Sequence, residues 1–431
     1  MSTATAGSAS RTREPGPAVR RRGGLFRHRD FRLLWTGQTV SSIGSNVTTV
    51  ALPLVAVAVL DATTFQVAVL TAAAWLPWLL VGLPAGAWVD RLRRRPVMIL
   101  CDLVSAVLFL SVPVAALLGL LTIGQLLAVA LGAGLARVFF ETADQVYLPT
   151  LLRPEEVPEG NARLQATQTA SYVVGPGLAG LVAQLAGALS ALLLDAVSFL
   201  VSAACLWRIR TVERRPRRPD GPPSLRREAA AGVRFVAGDP YLRVMAVYGA
   251  ASNIGLVGYQ AVLVVFLVRT AGLSPGLVGL LIGLASLGGI VGATLATTVA
   301  RRIGTARAML LAALGAGPPA LLIPLAGPGV AALWLVVGGV VVSLAVAVGN
   351  VVKGSFRQTY TPHALLGRVT VSMQLLNYGT IPLAAVLAGA LGAAYGPGRA
   401  MWVMTGWLAL TPLIMLSGPL RRRRDLPARP D

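Results

Sequence analysis

The sequence predicts an all-α integral membrane protein of twelve transmembrane helices, arranged as two six-helix halves that repeat one another in parallel. Three observations predict it. The 431 residues are 55% hydrophobic and only 13% charged, and their apolar runs are long enough for helices of about 20 residues to cross a bilayer in succession. Of 38 Lys and Arg residues, 35 fall where alternate crossing puts them on one side, against Arg269 and Arg399 on the other and Arg137 inside a run. That bias marks the cytoplasmic side. Short segments also recur in the same order in the two halves. A formal charge of +21 would on its own suit nucleic acid, since basic surfaces attract phosphate. The one-sided placement of the arginines assigns that charge to membrane topology, and no nucleic-acid partner is expected.

Residues 1–25 are rich in Ser, Thr, Ala, Gly, Pro and Arg and lack the apolar core of a cleavable signal, so a disordered cytoplasmic tail is expected. Phe26 to Arg32 reads as a short amphipathic lead-in to the first half, residues 26–207. The first span, Leu33 to Leu60, carries Gln38, Ser41, Ser42, Ser45, Thr48 and Thr49 on one face. A polar stripe in hydrocarbon must face protein or water, so the span either lines a cavity or uses its hydroxyls to join helices. The second span, Phe65 to Val89, is 25 uncharged residues with Trp75, Pro77, Trp78 and Pro84. It ends in a tight loop of four arginines that reads as cytoplasmic. The third span follows Pro96 and carries Asp102; after a break at Gly119 to Gly124 the fourth runs to about Asp144, with Arg137, Glu141 and Asp144. Residues 164 to 207 hold spans five and six, divided near Gly187, with Asp195 in the sixth.

Residues 208–243 form a polar linker with ten arginines, which leaves six spans on each side. In the second half, residues 244–420, Gly272 to Gly276 divides spans seven and eight, and the loop from Arg301 to Arg307 follows. The 45 uncharged residues from Ala308 to Val352 are too long for one helix and are divided at Gly327-Pro328-Gly329. Spans eleven and twelve divide at Gly396 to Arg399. Residues 421–431, opening with Arg421 to Arg424, make a basic cytoplasmic tail, so both termini are expected in the cytoplasm of a cell whose plasma or inner membrane holds the chain. Gln145-Val146-Tyr147-Leu148-Pro149 recurs as Gln358-Thr359-Tyr360-Thr361-Pro362 at an offset of 213, and Gln168, Tyr172 and Pro176 recur as Gln374, Tyr378 and Pro382 at 206.

The charges within the spans are the candidates for chemistry. A buried ion is costly unless paired, and Glu141 lies one helical turn from Arg137. One outcome is a purely structural pair. The other is a network of Asp102, Arg137, Glu141 and Asp144 whose protonation changes during transport, because burial favours a neutral carboxyl and a nearby arginine favours the ionised one. Asp195 is a weaker candidate. Cavity-lining candidates are Gln38, Ser42, Asn46, Gln168, Tyr172, Asn253, Gln374, Asn377 and Tyr378, with ordinary interhelical hydrogen bonds as their plainer role. Cys101 and Cys205 lack the spacing of a metal site, and His28 and His363 sit near helix ends without partners for chemistry; no metal or cofactor is expected.

The run Gly86-x-x-x-Asp90-Arg91-x-x-Arg94-Arg95 resembles the signature loop between spans two and three of the major facilitator superfamily of secondary transporters. The resemblance implies the fold above, a substrate site near the membrane midplane between the halves, and a gating latch made by Gly86, Asp90, Arg91, Arg94 and Arg95. Gly86 suits a latch because a missing side chain lets a helix come close. Arg93 stands where the family often has glycine, and in the second half Arg301 stands near the place of the acid. Gly175-Pro176-Gly177-Leu178-Ala179-Gly180 resembles the span-five signature of the antiporters, with Ala179 in place of one glycine, and marks Gly175, Pro176 and Gly180; a generic close-packing face is the alternative. Arg137 is similar to the span-four arginine linked to proton coupling. Phe31 to Trp35, Val50 to Leu54 and Leu366-Gly367-Arg368-Val369 narrow the resemblance to the branch of the enterobactin exporter and macrolide efflux proteins, though Gly44 is followed by Ser45 and Asn46 where members often have an acid.

The expectation is a proton-coupled exporter of a small, largely apolar compound, working as a monomer by alternating access without covalent chemistry. A proton-coupled importer of the same fold is the alternative. No ATP-binding loop is present, Lys353 being the only lysine, and nothing points to an enzyme.

Overall fold

In a computed structural model of the chain, residues 25–89, 91–211, 213 and 233–427 are described. Every regular element among them is helical, and twelve helices are long and apolar enough to cross a membrane. They are α1 (Arg29–Ala58), α2 (Thr64–Val89), α3 (Arg94–Leu117), α4 (Ile123–Leu151), α5 (Val157–Ala186) and α6 (Ala188–Arg208). The second half holds α7 (Pro240–Thr270), α8 (Pro275–Ile303), α9 (Thr305–Leu325), α10 (Gly329–Tyr360), α11 (His363–Tyr395) and α12 (Pro397–Ser417). The chain is a multi-pass membrane protein.

Three expected boundaries move. The lead-in is a 3-10 turn at Leu25–Arg27, and α1 starts at Arg29. Helix α4 continues past Asp144 to Leu151, and α5 starts at Val157, ahead of position 164. An apolar run reports the hydrocarbon thickness, while a helix continues wherever its backbone stays hydrogen-bonded and its polar side chains reach water. The Gln145 to Pro149 repeat therefore lies inside a helix. Residues 1–24, Asp90, most of the linker (Val212 and residues 214–232) and the end of the tail, residues 428–431, lie outside the described residues.

The repeat is visible in the packing. In the first half α1 packs on α5 and α6, α3 on α4 and α6, and α2 on α4; in the second, α7 packs on α11 and α12, α9 on α10 and α12, and α8 on α10. Each pair has its counterpart six helices later, as parallel repeats require. Left-handed glycines close equivalent turns: Gly187 (φ 84°) before α6 and Gly396 (φ 85°) before α12.

Two seams join the halves, α2 on α11 and α5 on α8. They are tightest on the side away from the arginine loops. There Gly180 backs onto Gly279, Gly389 onto Phe65 and Ala68, and Gly392 onto Thr64. Asp61, the one non-glycine residue with positive φ (46°) among the described residues, receives Arg269 at 2.6 Å from the other half. On the arginine-rich side, α4 and α10 share no substantial contact. The central cavity is thus shut on one face and open towards the other.

Candidate functional site

Arg137 and Glu141 stand on the cavity wall. Arg137 Nε donates to Glu141 Oε1 at 2.6 Å, with the two side chains 43% and 37% exposed. The pair is therefore wet, unlike a sealed ion pair, and contributes about 0–1 kcal/mol to stability. The Arg137 guanidinium lies 5.3 Å from the ring centroid of Trp75 on α2, within cation–π range. Tyr378 of α11 approaches Trp75 at 5.6 Å and Trp78 at 5.0 Å. Tyr172 of α5, half of it exposed, lies with Tyr378 in Coulombic reach of Arg137. Side chains from α2, α4, α5 and α11, hence from both halves, form one aromatic group around one cation.

The remaining acids of the first half are elsewhere, so the four-residue network divides. Asp144, about two turns along α4 from Arg137, accepts a hydrogen bond from Gln38 Nε2 on α1. Asp102 is buried on α3 (2% exposed) and faces the Ser202 hydroxyl of α6; Asp144 and Asp195 lie within its Coulombic reach. Asp195 is fully buried on α6 and accepts from Thr48 Oγ1 of α1 at 2.5 Å and from Ser198 Oγ at 3.0 Å. Gly44 of α1 permits this approach: a Cβ there would stand 2.5 Å from Asp195 Oδ1 and 2.7 Å from Ser198 Cβ. Among the described residues, Asp102, Asp144 and Asp195 form no ion pair.

In the arginine loop, Asp90 lies outside the described residues. Arg91 is exposed, and Arg94 Nε is buried without a partner among the described residues. Arg95 Nε donates to the Leu206 carbonyl at 2.8 Å and its Nη2 to the Trp207 carbonyl. It thereby adds side-chain donors to the last carbonyls of α6, where Leu206 already accepts from the Ile209 amide. The close approach expected at Gly86 is not found: a Cβ there would meet nothing within 4 Å, because the arginine-rich ends of the halves stand apart.

The span-five motif is used twice. Gly175 backs onto Asn46 of α1, its would-be Cβ 2.9 Å from the Asn46 carbonyl carbon, while Gly180 backs onto α8, 2.7 Å from Gly279 Cα and 2.9 Å from the Pro275 and Gly276 carbonyl oxygens. Pro176, between them, is buried. One glycine fits α5 within its half and the other forms the seam between halves.

The cavity candidates separate as well. Asn46 donates to the Ser42 carbonyl at 2.8 Å, and the Ser42 hydroxyl is buried without a partner among the described residues. Asn253 ties α7 to α11 through the Asn377 carbonyl at 2.8 Å and Thr380 Oγ1 at 3.2 Å, the plainer role. Gln168 is half-buried. Gln374 and Asn377 line a cavity of about 60 Å³ together with Lys353 and Arg357 of α10. Those two cations count in the sequence only as topogenic charges, and Trp75 and Trp78 only as bulky residues of a span. Their partners come from other helices, so no local spacing reveals them.

The sequence profile described as Major Facilitator Superfamily matches residues 34–385. The chain is 29% identical over 401 residues to the multidrug efflux pump Tap of Mycolicibacterium fortuitum, covering 90% of this chain and 95% of that protein. It is 25% identical over 417 residues to the enterobactin exporter EntS of Citrobacter koseri, covering 94% and 96%. Among solved structures, a bacterial homologue of the iron transporter ferroportin in its inward-facing state superposes with a TM-score of 0.73 at 16% identity, over 93% of this chain and all of that one. An outward-facing form gives 0.59.

Proposed function

Because the chain belongs to the Major Facilitator Superfamily, we propose that it exports a small, largely apolar compound of drug, antibiotic or siderophore type by proton antiport. The observation that carries this proposal is the division of the ionisable groups around one cavity. An ion pair, Arg137 with Glu141, stands where a substrate arrives, and three acids with no ion-pair partner, Asp102, Asp144 and Asp195, sit behind it on helices of the same half. An ionised carboxylate in such surroundings costs several kcal/mol, and a bound proton removes that cost. Coupling then needs only that the acids exchange protons with opposite sides of the membrane as the halves rock.

The arginine-rich face is taken as cytoplasmic, which puts both termini in the cytoplasm, makes the open cavity inward-facing and lets it load from the cell. The efflux names of the full-length relatives support the outward direction. The aromatic group of Trp75, Trp78, Tyr172 and Tyr378 offers flat apolar faces to the substrate body, and Arg137 beside them binds or releases Glu141 as that body arrives. Gln38, Ser42 and Asn46 of α1 and Gln168 of α5 add polar groups to the wall, and Gln38 ties α1 to Asp144 of α4. When the inner face shuts, Asp90, Arg91, Arg94 and Arg95 act as a latch and Gly86 receives the approaching helix, while the Gly180–Gly279 seam separates. One copy of the chain contains the whole site.

Expression in a bacterial host lacking its own efflux pumps tests the direction. The expected result is lower intracellular accumulation and higher tolerance of amphipathic drugs, both cancelled by a proton uncoupler. Unchanged accumulation counts against transport of that class, and raised accumulation turns the proposal into import.

A further inference from the structure

Between Asp239 and Asp425 the sequence contains no Asp or Glu at all, yet α10 carries Lys353 and Arg357. At a spacing of four these lie on one helix face as a like-charged pair, an arrangement that disfavours the helix by a few tenths of a kcal/mol. Both line the cavity of about 60 Å³ between α7, α10 and α11, with Gln374 and Asn377 beside them and Met245 and Met373 as apolar walls. That volume suits one carboxylate, phosphate or sulfonate group. Neither cation takes part in an ion pair among the described residues, and Arg357 Nε is buried there without any partner. Among the described residues, the nearest counterpart acids on α4 are engaged elsewhere, Glu141 with Arg137 at 2.6 Å and Asp144 with Gln38. Lys353 sits seven residues inside the α10 terminus at Tyr360, about 10 Å along the helix.

We propose that Lys353 and Arg357, with the side-chain amides of Gln374 and Asn377, bind an anionic group of the transported compound. A planar guanidinium takes an oxyanion by two parallel hydrogen bonds, and a lysine adds a point charge. Gln374 is exposed and its amide supplies a further donor. Resting on the transport function proposed above, the assignment narrows the substrate to amphipathic anions, with an apolar or aromatic body against Trp75, Trp78 and Tyr378 and an acidic group reaching towards α10. The N-terminal half then carries the protons and the C-terminal half holds the substrate charge.

The test uses a matched pair of probes, 2-naphthoate and its neutral analogue 2-naphthamide, bound to the purified full-length chain in maltoside micelles and followed by equilibrium dialysis. The naphthoate is expected to bind about tenfold or more tightly than the amide, with inorganic sulfate competing. Lys353→Gln with Arg357→Gln should erase the preference for the naphthoate over the amide, and Lys353→Arg should keep it. Equal affinities in the natural chain, no binding of either probe, or a preference that survives the double substitution each overturn the assignment. A preference abolished by added phosphatidylglycerol transfers the site to a lipid headgroup and overturns the substrate role. If the double variant does not fold, the comparison of probes and the sulfate competition in the natural chain still decide. Binding in micelles is blind to direction, so its failure is distinguishable from failure of the export experiment.

Discussion

Helices α4 and α10 hold the same place in their halves, and at the repeat offset of 213 Asp144 falls on Arg357. The first of these helices bears Arg137, Glu141 and Asp144; the second bears Lys353 and Arg357 and no acid. A second pair shows the same contrast. Gly44 lets α1 close on Asp195 and Ser198 of α6, while Gly255 lets α7 close on Leu408 of α12, where a Cβ would stand 2.8 Å from Leu408 Cβ. One close approach is filled by a carboxylate and the other by a leucine. Packing alone therefore does not require the acid. A buried polar group in place of an apolar one costs free energy unless it is satisfied, so its presence on one side only is an argument for chemistry there.

The largest expected effect comes from Arg137, the one cation on the acidic side of the cavity. Arg137→Gln should bring transport to background while unfolding shifts by no more than about 1 kcal/mol, as fits a half-exposed pair. Both are read on the same preparation, by accumulation in vesicles and by thermal unfolding. A large stability loss with proportionate loss of transport would make the pair structural and weaken the contrast between halves.

Next is Asp195. Since Leu408 shows that this kind of helix contact needs no charge, Asp195→Asn should fold and retain downhill substrate movement. Uphill efflux driven by a proton gradient should fall at least about tenfold, a loss of the order expected when a charge-assisted interaction is removed. Vesicle assays with and without an imposed pH gradient measure it, and gradient-driven efflux equal to that of the natural chain would take Asp195 out of the coupling. Gly44→Val should instead damage folding, because its side chain overlaps Asp195 and Ser198; overpacking of this sort costs about 1–3 kcal/mol.

The number of spans was legible in the sequence because it depends on two additive quantities, apolar length and arginine placement. The pairing of halves was legible from the Gln145 and Gln358 repeats. The site was legible only where its members share a helix, as Arg137 and Glu141 do. Asp195 stood as a lone acid because Thr48, 147 positions away, is invisible from its own helix. Lys353 and Arg357 merged with the topogenic arginines, since a count by side of the membrane does not report which face of a helix a charge occupies. The proposed latch is only half-read for another reason: Gly86 meets nothing within 4 Å and Arg91 is exposed, while Arg95 bonds the end of α6.

The smallest expected effect concerns the outer face, where the halves exchange one ion pair. Asp61 is 96% exposed and Arg269 31%, so the pair's attraction is screened by salt and contributes well under about 1 kcal/mol. Yet it joins the loop after α1 to the end of α7 across the two halves, so separating them on this face would have to break it. Asp61→Asn should therefore leave the unfolding temperature unchanged and move the balance between inward- and outward-open forms by a factor of about five at most, the equivalent of that energy. Labelling a cysteine placed at Thr64, against Gly392 in the outer seam, with a membrane-impermeant maleimide reads this balance. Faster labelling in the variant at low salt, converging with the parent at high salt, identifies the pair as an outer latch, whereas identical rates at both would leave the closure to the glycine seams alone.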